Sequence, residues 1–205
     1  LQRDAGASGL IPSPLIEGLR ARYAEPKRHY HSWDHIEALL RHFHRWEAHF
    51  HRPAPVLWAL YWHDAIYDPQ AKDNEEQSAV LLEQEARDHL PAEDIALAAS
   101  IVRATTAHKL PDQLGAKDKE DTALFLDLDL SILGAPVHVY DRYETDIRKE
   151  YAFVPLEAYR AGRGAILNGF LARERLYLTD LAHTEWDAPA RANLKRAIAA
   201  LSPRD

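Results

Sequence analysis

The sequence has no cysteine and no methionine among its 205 residues. Disulfides, thiolate metal ligands and a cysteine nucleophile are thereby excluded, and any metal must be held by imidazole and carboxylate. No apolar run approaches the roughly 18 residues that a membrane span requires. The opening stretch LQRDAGASGLIPSP lacks the long apolar core of a secretory signal, so a cytoplasmic location is the expected default. Positive charge is in deficit, with 25 Lys+Arg against 32 Asp+Glu and a formal net charge of −7. That balance argues against a protein that coats duplex nucleic acid, while leaving room for a local basic pocket. Short basic clusters such as Arg20, Arg22, Lys27 and Arg28 lie amid acids and read as ordinary surface. Also missing are a GxSxG elbow, a GxxxxGK[ST] phosphate loop, a GxGxxG dinucleotide turn and an HExxH zinc helix.

What is present is the composition of a folded globular protein, 46% hydrophobic and 28% charged. The length suits one domain. Residues 1–11 read as a flexible tail ended by Pro12 and Pro14, and 12–205 as a single all-α domain without repeat or linker. Ile36, Leu39, Leu40, Phe43, Trp46 and Phe50 follow helical spacing. After Pro53 and Pro55, VLWALYWHD is apolar on every side and predicts a buried helix. Asp73 and Glu76 form a capping-box pattern for a helix ending near His89. The next helix begins at about Glu93 and carries His108 at the edge of its apolar face. ALFLDLDLSILG alternates like a strand, yet a lone strand leaves its backbone unpaired. It is therefore predicted to be a buried helix stopped by Gly134 and Pro136. Helices around 139–151 and 156–170 follow, and a last one runs from about Pro189 to Leu201.

Histidine is the first chemical signal. There are 12 in the chain, and His29, His31, His35, His42, His44, His49 and His51 crowd into one segment. On a helical wheel His35 lies at the edge of the apolar arc, His31, His42 and His49 fall within about 40° of it, and His44 and His51 point away. His63 and Asp64 end a helix with no evident solvent face, and Asp129 sits inside another apolar run. Ionised carboxylates there cost several kcal/mol unless compensated. A bound cation shared by Asp64, Asp129, His63 and His35 is the economical solution. Arg163 stands near the centre of the apolar arc of its own helix, where its guanidinium needs a phosphate or a buried carboxylate. Gly162 and Gly164 are positioned to disrupt that helix.

The ordered set His35, His63-Asp64 and Asp129 resembles the H…HD…D signature of the HD superfamily of metal-dependent phosphohydrolases. The strings YHSWDHI, WHDAIYDP, DNEEQSA, FLDLDLSILG and IRKEYAFVPLEAYRAGR further resemble a bacterial group of predicted HD phosphohydrolases. The resemblance implies an all-α HD-domain bundle with His35, His63, Asp64 and Asp129 as metal ligands. In the family the second acid lies in an Asp-Ala-Asp-like string; here that string is Asp127-Leu128-Asp129, and Asp129 is assigned by its place before Ser-Ile-Leu-Gly. The donor set suits Mn, Fe, Co, Ni, Mg or Zn, as one ion or two. The implied reaction is hydrolysis of a phosphate ester by a metal-activated water oriented by Asp64. The expected substrate is a nucleotide or a small phosphorylated metabolite.

Further residues take roles from the same resemblance. Glu75, downstream of the doublet, is a candidate for proton transfer, against a carboxylate on a helix dipole. Asp68 is a second candidate for that work, or simply the start of the loop before Pro69. His108 is a candidate for substrate or metal contact and stands with Asp64 and Glu75 in the catalytic set. His31 is a candidate to line the phosphate pocket or bind a second ion. Lys109, Arg148 and Arg163 are candidates to grip phosphate oxygens, although a surface charge is the leading reading of Arg148. His42, His44, His49 and His51 read as solvated or packing residues. Two other functions compete: a di-iron HD-type oxygenase, which needs His31 or His108 as ligands, and a non-catalytic phosphate- or metal-binding module. Neither a membrane nor duplex nucleic acid is expected as a partner. The oligomeric state and the substrate itself stay open.

Overall fold

Apolar periodicity and proline punctuation set the elements. The computed structural model describes residues 11–201. Among these residues the structure is all-α, with no strand. The α-helices are α1 (Ser13–Tyr23), α2 (Trp33–Trp46), α3 (Pro53–Trp62), α4 (Asn74–Glu85), α5 (Ala92–Ala104), α6 (Ala116–Asp129), α7 (Val137–Glu150), α8 (Leu156–Leu171) and α9 (Asp180–Leu201). Short 3-10 segments follow α2 at Glu47–His49 and α6 at Leu130–Gly134. Prolines stand at or just before the first residue of α1, α3, α5, α7 and α8, where a missing N–H costs nothing. Residues 1–10 of the expected tail lie outside the described residues, and its last residue, Ile11, is buried. The helices gather into two compact units, one ending at Leu126 and the other beginning at Asp127, so the division falls within α6. Among the described residues no single helix is long and apolar enough to cross a membrane.

The first unit is built around α3. Every side chain from Pro55 to Trp62 is buried, which accounts for the lack of a polar face in VLWALYW. The helix packs against α2, α4 and α5, and its Trp58 and Trp62 rings stack 4.5 Å apart. Its start is held by Asp121 of α6, whose carboxylate accepts the backbone N–H groups of His51 and Arg52 at 2.8 Å each. Near its end, the Tyr61 carbonyl accepts the Tyr23 hydroxyl at 3.0 Å. Asp73 is the N-cap residue of α4 but makes no side-chain cap bond there. The capping box does not form because the Glu76 carboxylate instead accepts Nε and Nη2 of Arg103, at 2.7 and 2.8 Å. The helix gives way to turns after Glu85, short of the expected end near His89.

In the second unit the 3-10 segment packs against α9. A Cβ at Gly134 would fall 2.6 Å from the Cβ of Trp186, so a glycine is needed for the close approach. Asn193 of α9 donates to the carbonyls of Leu133 and Ala135, and Tyr177 to that of Leu130. Asp127 is buried and accepts three bonds, from the backbone N–H groups of Leu178 and Thr179 and from the Thr179 hydroxyl, at 2.6–2.7 Å. It thereby caps the approach to α9. That helix starts at Asp180, nine residues before Pro189, which it contains. It therefore begins before the expected start at about Pro189; the usual cost of an interior proline is met here by burial of Ala182 and Trp186 on the preceding turns. α8 likewise runs unbroken through Gly162 and Gly164.

Candidate metal centre

Two ends of the first unit's helices supply the site. His35 lies in the first turn of α2, on the edge of the face that buries Ile36, Leu39, Phe43 and Trp46. His63 caps the C-terminus of α3, its backbone N–H still bonded to the Ala59 carbonyl, and Asp64 follows in the turn. The His63 side chain is 1% exposed and that of Asp64 19%. His63 Nδ1 lies 2.9 Å from the Leu60 carbonyl, which can only accept, so this nitrogen carries the proton. In the neutral ring Nε2 then bears a lone pair. It points at His35 Nε2 at 3.2 Å and at Asp64 Oδ2 at 3.0 Å, while His35 Nε2 and Asp64 Oδ2 are 3.9 Å apart.

A lone pair directed at a carboxylate is repulsive unless a cation or a proton lies between them. Burial pushes the Asp64 carboxyl upward, while His63, His31 and His35, when protonated, outweigh it and hold the group below the usual carboxylate range. Ligands around one ion with bonds of about 2.1 Å are separated by roughly 3.0–3.4 Å, close to two of the three spacings found here, while the 3.9 Å between His35 and Asp64 is wider. His35, His63 and Asp64 thus form a group that could hold a metal ion. The fixed Nδ1–H of His63 is the outer hydrogen bond that orients a metal-binding imidazole.

Around this group the rings are closely placed. Tyr30 lies 4.9 Å from the His35 ring, and Phe125 meets the His63 ring edge-on at 5.9 Å. His31 precedes α2, stacks on Tyr67 at 4.3 Å and lies 6.4 Å from the His35 ring.

Asp129 is the last residue of α6, in the second unit, where its charge acts on the half-buried Tyr143. Glu75 is half-buried in the first turn of α4. Asp68 is exposed and organises its own loop, accepting from the Gln70 N–H and bonding through its backbone to Asn74. His108 is half-buried in the turn after α5 rather than on the helix, with a left-handed φ of 48°. Lys109 beside it is exposed. Arg163 is buried on a carboxylate, the second of its two expected anions: Glu144 takes it at 2.7 and 3.1 Å and the Tyr143 hydroxyl at 2.8 Å. Arg148 closes the end of α7 by donating to the Tyr151 carbonyl and lies over the Tyr159 ring. Both of these arginines belong to the second unit and are engaged by its own groups. His44, His49 and His51 are exposed, with His44 near Glu47 and His51 on Glu120, and His42 lies against Trp46.

Arg28 corrects the reading of its cluster as surface. Its side chain is fully buried and donates to the backbone carbonyls of Asp64, Ala65 and His31. Nothing in the pattern of KRHYH distinguishes it from a solvated arginine, because the carbonyls it serves lie 36 and 37 residues away. No family model, curated protein or solved structure matches the chain.

Proposed function

We propose that the protein is a metal-dependent phosphohydrolase acting on a nucleotide or another small phosphorylated compound. The observation that carries this reading is the convergence of His35 Nε2, His63 Nε2 and Asp64 Oδ2 in a buried corner, with the His63 proton already committed to Leu60. A divalent ion held by these residues would polarise the phosphoryl group and acidify a bound water. Asp64, held in its ionised form, would orient the attacking water by accepting its hydrogen bond. His31, stacked on Tyr67 with its ring 6.4 Å from that of His35, would line the phosphate pocket. The resemblance to HD phosphohydrolases supports the same chemistry and adds Asp129 as a further ligand, Glu75 and His108 as proton-transfer or contact residues, and Lys109 as a phosphate contact.

The test is a panel of phosphomonoesters, phosphodiesters and nucleotides offered to metal-free protein resupplied with Mn, Co, Ni, Mg, Zn or Fe. Phosphate release that requires added metal and disappears in His63→Ala is expected. Oxygen consumption by iron-loaded protein without phosphate release would overturn hydrolysis in favour of an oxygenase. Metal binding without turnover on any substrate would favour the non-catalytic module.

A further inference from the structure

We propose that Arg28 is a positioning residue that sets the geometry of the candidate metal centre; this rests on the metal-binding reading above. Its NH1 donates to the Asp64 carbonyl at 2.6 Å and to the His31 carbonyl at 3.3 Å, and its NH2 to the Ala65 carbonyl at 2.9 Å. Its Nε donates to Glu25 at 3.2 Å, and the guanidinium lies over Tyr23 and Tyr67. A buried cation is costly, and its one carboxylate partner is 40% exposed. What the burial achieves is the joining of two chain segments. One leads into α2, which carries His35; the other follows α3 and contains Asp64 itself.

Asp64 has left the helix and stands in a turn, so its orientation depends on the peptide that follows it. The planar fork of Arg28 bonds the carbonyls on both sides of Ala65 N–H, which fixes that peptide and hence the direction of the Asp64 side chain. The same fork holds His31, whose ring stacks on Tyr67. Lysine offers a single compact ammonium and cannot serve successive carbonyls in one plane. Arg28 touches backbone alone on the Asp64 side, so its effect on the centre runs through placement of the ligands.

The test titrates metal-free wild-type, Arg28→Lys and Glu25→Gln proteins with cobalt(II), following its visible absorption, alongside thermal unfolding without metal. Arg28→Lys is expected to unfold near the wild-type temperature yet to bind cobalt roughly 10–100-fold more weakly, as for loss of an outer partner of a metal ligand. Glu25→Gln should show a smaller loss in the same direction. Unchanged cobalt affinity in Arg28→Lys overturns the proposal. So does an Arg28→Lys protein that is unfolded or melts far lower, since the residue would then be structural. Wild-type protein that takes up no cobalt defeats the metal reading itself and this inference with it, a result visible before any variant is made.

Discussion

In the second unit, the buried Arg163 guanidinium is met by Glu144 and Tyr143, and the buried Asp127 carboxylate by three donors from Leu178 and Thr179. In the first unit, the Asp64 carboxylate faces imidazoles, one of which has its proton directed away toward Leu60. Both regions take charge out of water. The second balances it with its own side chains and backbone, as a structural network does. The first gathers acceptors, an arrangement suited to a cation from solution. Partner chemistry, more than burial, separates a candidate site from a scaffold.

Four measurements sharpen that contrast. Removal of His63 should have the largest effect: His63→Ala is expected to lose metal by more than the roughly 10–100-fold of an outer partner, with turnover falling to background. Equal metal content in this variant, by elemental analysis, would remove the distinction between the two regions. Arg163→Met leaves the half-buried Glu144 without its cation, and urea unfolding should show a loss of about 2–4 kcal/mol with metal content unchanged. A loss of metal there would place Arg163 in the site after all.

Asp127 gives a smaller effect with a defined sign. Burial pushes its carboxyl up to about 6, against the pull of its three donors. Below about pH 4 the group is protonated in both folded and unfolded chains; between about 4 and 6 only the folded chain keeps the proton. Its contribution to stability therefore falls as pH rises through this window, by on the order of 1–3 kcal/mol. Unfolding free energies of wild-type and Asp127→Asn proteins should diverge between pH 4 and 7, and parallel curves would contradict the assignment. The smallest effect belongs to the solvent-exposed pair of Glu76 and Arg103. Glu76→Gln should leave the urea midpoint nearly unmoved, because exposed ion pairs are screened.

Much of this arrangement is legible in the sequence. The apolar stripe from Ile36 to Trp46 marks α2, and the absence of a polar face marks α3 as buried. The alternation of leucine and aspartate near Asp129 imitates a strand, yet residues 121–128 of α6 are all buried, so alternation carries no information about a face. His63 and Asp64 stand out as charge placed against apolar surroundings, whereas the choice of His35 from the histidine stripe comes from the resemblance. What escapes the sequence depends on distant partners. Arg28 is indistinguishable from surface until the turn after α3 arrives beside it. Glu76 has the spacing of a capping residue but finds a better partner in Arg103, 27 residues on. The start of α9 is hidden because local proline cost is outweighed by burial that only packing reveals.

Metal content of the purified protein tests the central claim most directly. Elemental analysis of wild-type protein, after incubation with divalent transition metals and removal of the excess, should return at least one ion per chain. His35→Ala and His63→Ala, carried through the same procedure, should return almost none while remaining folded. Metal-free wild-type protein, or variants that retain as much metal as the wild type, would contradict it.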